Sequence, residues 1–190
     1  MSDDSLLYFL DRSTYPRSKE LDEIECPLLL SEWHLPIAWL ALFEASDIRI
    51  DPSSRHDKDR HYYATKRDAA ISRFEKRAPW IRSAVPTLEM VWVDAFRDFL
   101  SDAKFHWVHV IPAPFAEDGG APDADMLVFL LKAFEEPPTP VHEAVAYSSA
   151  WGTYLQYFGS RYRDPTSDPR NSCLGSSGTD VLAPWERISS

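Results

Sequence analysis

Apolar positions along the chain fall into short unbroken runs and longer periodic stretches, separated by prolines and polar turns. Leu6-Leu7-Tyr8-Phe9-Leu10 is an apolar run stopped by Asp11-Arg12-Ser13, and it reads as a buried strand. A polar connection leads to a second strand candidate, Cys26-Pro27-Leu28-Leu29-Leu30. Pro36 opens a short helix, Ile37 to Ala45, since proline is tolerated in a first helical turn. Ile37, Leu40 and Ala41 face inward in that helix, with Trp39 and Phe43 on its flanks. Ile48-Arg49-Ile50 alternates as a small strand does. From Arg55 to Arg82, Tyr63, Ala70, Phe74, Ala78 and Ile81 recur at helical spacing among charges, which predicts one long helix. Pro79 is expected to end or kink it and leave Trp80-Ile81 in the connection.

Leu88, Val91, Trp92, Ala95, Phe96, Phe99, Leu100 and Ala103 repeat at intervals of three and four, opposite Glu89, Asp94, Arg97, Asp98 and Asp102. This is an amphipathic core helix, with Thr87 placed as its cap. Phe105 to Ile111 is a β-favouring run that is apolar on both faces and stopped by Pro112, so it predicts an interior strand. Phe115 to Pro122 holds Asp118-Gly119-Gly120 and reads as a loop. Asp123 or Asp125 can cap a helix carrying Leu127, Leu130, Leu131 and Phe134, although Leu127 to Leu131 also suits a strand. Thr139-Pro140 predicts a further helix ending at Gly159. Residues 160–190 are rich in Ser, Pro, Gly, Asp and Asn and read as a loop-rich tail that Leu182 and Trp185 can anchor. The pattern as a whole predicts an α+β fold: a helix-rich single domain over 1–159 with a small buried sheet, followed by an extension over 160–190 packed on or flanking it.

Charge sharpens this picture. The net charge is −10, yet residues 55–82 carry nine basic against four acidic side chains, so that segment is +5 and the remainder −15. Nucleic-acid affinity rests on cations neutralising phosphates, so an acidic chain is expected to bind something basic and not nucleic acid. Lys58, Arg60, Lys66, Arg67, Arg73, Lys76, Arg77 and Arg82 are expected to pair with the protein's own acidic groups. No apolar stretch approaches the roughly 20 residues that cross a bilayer, and the acidic Met-Ser-Asp-Asp-Ser start does not resemble a secretory signal. A cytoplasmic protein without membrane contact is the expectation, with Cys26 and Cys173 free.

Catalytic motifs are absent. The chain has no GxSxG elbow, no P-loop and no GxGxxG, and its histidines and cysteines match no metal spacing, so neither cofactor nor metal is expected. Gly175-Ser176-Ser177-Gly178-Thr179 reads as flexible tail. His106 and His109, three apart on one strand, should lie on opposite faces. An alternative reading assembles Glu32, His34, His106 and His109 into a small hydrolase-like pocket. Of seven tryptophans, Trp92, Trp107 and Trp151 fall on inward positions. Trp33, Trp80 and Trp185 lie near element ends, where partly exposed rings mark binding surfaces.

In general character, though not in any motif, the chain is similar to bacterial immunity proteins, which are small, acidic, single-domain and non-catalytic and neutralise a cognate toxin. That resemblance implies a binding module for a basic toxin domain. The residues expected to contact it are Glu89, Asp94 and Asp98 of the helix face, Glu117 and Asp118 of the loop, and the rings of Trp33, Trp80 and Trp185. An adaptor or scaffold domain is the third reading.

Overall fold

The computed structural model describes residues 4–14, 28–32, 34–51, 60–113, 122–143, 149–158, 168–177 and 182–188. Its strands are β1 (Asp4–Leu10), β2 (Leu28–Glu32), β3 (Ile48–Asp51), β4 (Arg60–Lys66), β5 (Trp107–Ile111) and β6 (Ser176–Ser177). They form one antiparallel sheet in the order β3-β4-β5-β1-β2-β6. Its helices are α1 (Ile37–Leu40), α2 (Arg67–Ala84), α3 (Met90–Asp102), α4 (Ala124–Leu131), α5 (Ala150–Phe158) and α6 (Pro169–Leu174). The fold is α+β.

Alternation along the strands divides the sheet into two chemically different faces. Leu7 and Phe9 of β1, Leu29 of β2, Tyr63 of β4, and Val108 and Val110 of β5 join the helices in the main core. Tyr8, Leu10, Tyr62, Ala64 and Ile111 form a second, smaller cluster on the reverse face. β5 lies between β4 and β1, the interior position its two apolar faces require.

Several boundaries differ from the sequence expectation, each for a physical reason. Residues 60–66, expected to begin a long helix, are strand β4. Tyr62 and Tyr63 are consecutive and both buried, on opposite faces, which a strand permits and a single helical stripe does not. Tyr63 stacks on Phe43 and donates its hydroxyl to the Leu127 carbonyl at 3.1 Å. Pro79 does not end α2, which runs on through Trp80 and Ile81 to Ala84. Burial of Ile81 and Ala84 outweighs the one backbone bond that proline removes. Helix α1 stops at Leu40, and Trp39 and Phe43 are fully buried instead of flanking. The cap of α3 is Glu89, not Thr87.

Leu127–Leu131 resolves as helix, with Asp123 Oδ1 accepting from the Met126 N–H at 2.8 Å. The helix expected from Thr139 begins only at Ala150. The Glu136 carboxylate accepts there from the N–H groups of Ala150 (2.6 Å) and Trp151 (3.1 Å), satisfying two donors that a helix start leaves open. The loop 115–121, Cys26 and Lys58 lie outside the described residues.

Within the C-terminal stretch, residues 168–177 and 182–188 are built into the body of the fold. Trp185 inserts between Phe96 and Phe99 at 5.3 and 5.5 Å and donates its indole N–H to the Gly175 carbonyl. Gly175 to Ser177, expected as flexible tail, cap α6 and extend the sheet along β2. On each outer strand the backbone of one residue is also met from outside the strand ladder. On β3 the Ile48 N–H donates to Ala45 and the Ile48 carbonyl accepts from Arg49 at 3.1 Å. On β6 the Ser177 N–H donates to Glu186 at 3.2 Å.

Candidate functional site

Charge is redistributed by folding. Arg73 of α2 pairs with Glu44 at 3.0 Å and Asp47 at 2.7 Å, and also donates to Thr65 and the Leu42 carbonyl. One turn on, Arg77 donates to the Ala41 (3.1 Å) and Phe43 (2.5 Å) carbonyls just beyond α1 and lies over the Phe134 ring at 4.7 Å. Burial holds its guanidinium below the usual arginine range. Arg67 donates to the Ala103 carbonyl and pairs with Asp68. Three arginines of the basic segment therefore point into the protein, while Lys66, Lys76 and Arg82 stay exposed.

The acidic residues of α3 take the opposite course. The helix buries Trp92, Val93, Phe96 and Leu100 and turns Glu89, Asp94, Asp98 and Asp102 outward. Beside Glu89, Met90 and Val91 are 42% and 45% exposed, large apolar side chains left uncovered at the helix start. Of the expected trio, Glu89 sits at the N-cap, where its charge acts on Arg170, while Asp94 and Asp98 share the helix's outer face. Arg97 stands within it, 3.3 Å from Asp94 and 2.9 Å from Asp98. Hydrogen bonding to Asp98, then the charges of Asp98, Asp94 and Glu75, push Arg97 upward. Two of the four acids, Asp94 and Asp98, pair with Arg97, so the face is partly neutralised from within. The Asp94–Arg97 spacing of three announces this pairing in the sequence, a signal the reading of the acidic stripe passed over.

The remaining expected contacts do not join this face. Trp185 is wholly buried, so its placement on a binding surface is corrected: the C-terminal stretch spends the ring as an anchor. Trp80 is half-buried, edge-on to Phe134 and Trp151 at 5.1 Å each, and its N–H donates to the Glu136 carbonyl. Trp33, Glu117 and Asp118 lie outside the described residues.

The four residues of the pocket reading are dispersed. His34 is buried on the helix side, with Nε2 2.7 Å from the Ser172 carbonyl oxygen and its ring edge-on to Tyr154 and Phe158. His109 is buried on the reverse face of the sheet, and Glu32 is exposed at the end of β2. His106 precedes β5 instead of lying within it and pairs in solvent with Asp11 at 3.0 Å. His106 and His109 accordingly reach the same turn, not opposite faces, because β5 starts one residue after His106. Among the described residues no three His, Cys, Asp or Glu side chains group as a metal site requires, and no helix is long and apolar enough to cross a membrane.

Residues 12–106 match the model of a family described as a domain of unknown function, DUF8083, and that stretch is half of the chain. The chain belongs to this family. No curated protein and no solved structure matches it. The region matched to DUF8083 runs from the turn after β1 to the residue before β5, so it holds both the inward arginines of α2 and the acidic face of α3.

On the reverse face sits a stack of three rings, of which Tyr62 lies within that region and Tyr8 and His109 just outside it. His109 lies between Tyr8 at 5.1 Å and Tyr62 at 6.1 Å, all three nearly parallel and drawn from the adjacent strands β1, β5 and β4. Burial first, and the Arg12 charge with it, lowers the His109 imidazole to about 4, although its bond to the Arg12 carbonyl works the other way. The ring is therefore neutral at ordinary pH.

Proposed function

We propose that this chain is an acidic protein-binding module of the immunity-protein kind, which meets a basic partner on the outward face of α3. The observation that carries this reading is the sorting of charge: Arg67, Arg73 and Arg77 turn inward, while Glu89, Asp94, Asp98 and Asp102 stay outward beside exposed Met90 and Val91. A negative surface steers association with a positive one, and apolar side chains at its border supply the contact that persists after docking. A cytoplasmic toxin domain that acts on nucleic acid is the partner class this chemistry fits, since such domains carry the cations that phosphates require.

Titration against the products of neighbouring genes tests the reading. A complex tighter than micromolar is expected, with an association rate that falls as salt rises. The double variant D94K/D98K should weaken it at least tenfold. Absence of any such complex, or a complex indifferent to both salt and D94K/D98K, overturns the proposal.

A further inference from the structure

The turn that follows β1 is held down by side chains from the neighbouring strands. Asp11 accepts from or pairs with His106, the Arg12 carbonyl lies 2.8 Å from His109 Nε2, and the Ser13 carbonyl accepts the Tyr62 hydroxyl at 3.3 Å. The two latter holders are members of the ring stack, so the turn crosses it as a strap. Because a carbonyl can only accept, Nε2 carries the proton in the neutral ring and Nδ1 is a lone pair. That Nδ1 is buried and has no hydrogen-bond partner among the described residues.

We propose that Asp11–Ser13 is an acid-released strap, latched by neutral His109 and opening the Tyr8–His109–Tyr62 stack when that ring takes up a second proton. The geometry makes protonation in place unfavourable. A proton on Nδ1 would be buried without an acceptor among the described residues and close to the Arg12 cation. Charged and titratable described groups around the ring are Asp11 and Arg12 of the turn, Tyr8 of β1, Tyr62 and the more distant Lys66 of β4, and His106 before β5. Asp11 is engaged by His106 in solvent and does not reach Nδ1. Opening returns the imidazole to water and to its ordinary 6.5, against about 4 when closed. The open form thus binds more protons between those values, so opening grows as pH falls through them. Relative to pH 7.5, linkage raises the open-to-closed ratio about thirtyfold at pH 5.

Hydroxyl-radical footprinting of Tyr8 and Tyr62, with Tyr63 on the helix-covered face as internal control, reads this out. Tyr8 and Tyr62 should oxidise on the order of thirtyfold faster at pH 5 than at pH 7.5, while Tyr63 stays protected. His109→Gln keeps an N–H for the Arg12 carbonyl but does not titrate, and should remove the pH dependence. Unchanged protection of Tyr8 and Tyr62, parallel exposure of Tyr63, or an undiminished acid response in His109→Gln overturns the strap. Should His109→Gln fail to fold, nitrogen NMR of the wild-type histidines decides instead. A His109 protonated on Nε2 alone down to pH 5 supports the latch, and one that titrates near 6.5 or carries its proton on Nδ1 overturns it.

Discussion

Gly175 shows how much a single hydrogen atom decides. Its φ of +79° lies where side chains other than glycine are strained, and a Cβ there would stand 2.3 Å from the Trp39 ring. Trp39 cannot retreat, since it is fully buried and its N–H is tied to the Leu174 carbonyl at 2.7 Å. Gly175→Ala should therefore cost about 3 kcal/mol, from backbone strain and overpacking together, seen as a lower denaturant midpoint with an unchanged slope. Core tryptophans set a second scale. Trp92→Ala and Trp151→Ala should each cost roughly 3–5 kcal/mol in the same measurement. A midpoint that hardly moves would show the ring is not carrying the packing. The inward positions of Trp92 and Trp151 could be read from periodicity, because both lie on helices with one apolar stripe. Trp185 could be read as an anchor of the tail but its partners could not, because Phe96 and Phe99 are more than eighty positions earlier and nothing local records the contact.

At the scale of elements, the difference between what could and could not be read follows from how local the deciding forces are. Helix α3 and strand β5 declare themselves through their own apolar repeats. The stretch 60–66 does not, because Tyr63 sits at a helical interval from Ala70 while its real partners are Phe43 and Leu127. Alternation of Tyr62 and Tyr63 was the available strand signal, diluted by flanking charges. Helix α5 is a further case: the cap that starts it is Glu136, fourteen residues before Ala150. Glu136→Ala should then destabilise the protein by about 1–2 kcal/mol, more than an ordinary surface change, because two helix donors lose their acceptor. Thermal unfolding would register this, and a variant as stable as the parent would show that water replaces the carboxylate freely. Arg73 joins α2 to the 3-10 turn Ala45–Asp47 that precedes β3, and Arg73→Ala leaves Asp47 buried without that cation. A loss of roughly 3 kcal/mol is expected, largely restored in Arg73→Ala/Asp47→Ala if the unpaired charge is its source.

Across the whole molecule, folding splits the +5 segment: Arg67, Arg73 and Arg77 turn inward, while Lys66, Lys76 and Arg82 stay at the surface. Composition states the imbalance but not its direction, because self-pairing and display to a partner look alike in a string of residues. Folding separates them through Arg67, Arg73 and Arg77, each with named acceptors. The acidic residues of α3 were legible as a stripe; their partial neutralisation by Arg97 was legible only as spacing. The reverse-face ring stack was not legible at all, since Tyr8, Tyr62 and His109 come from three distant segments and meet only through strand register.

The contacts made by Ile48 and Ser177 at the two borders of the sheet bear on crowding. Copies of a β-protein associate most readily where a free strand offers its backbone as a template for the next copy. Here Ile48 and Ser177 have already committed theirs to Ala45, Arg49 and Glu186. Each such contact removes one docking position from an outer strand, so the chain's own side chains make strand-to-strand pairing between copies less favourable there.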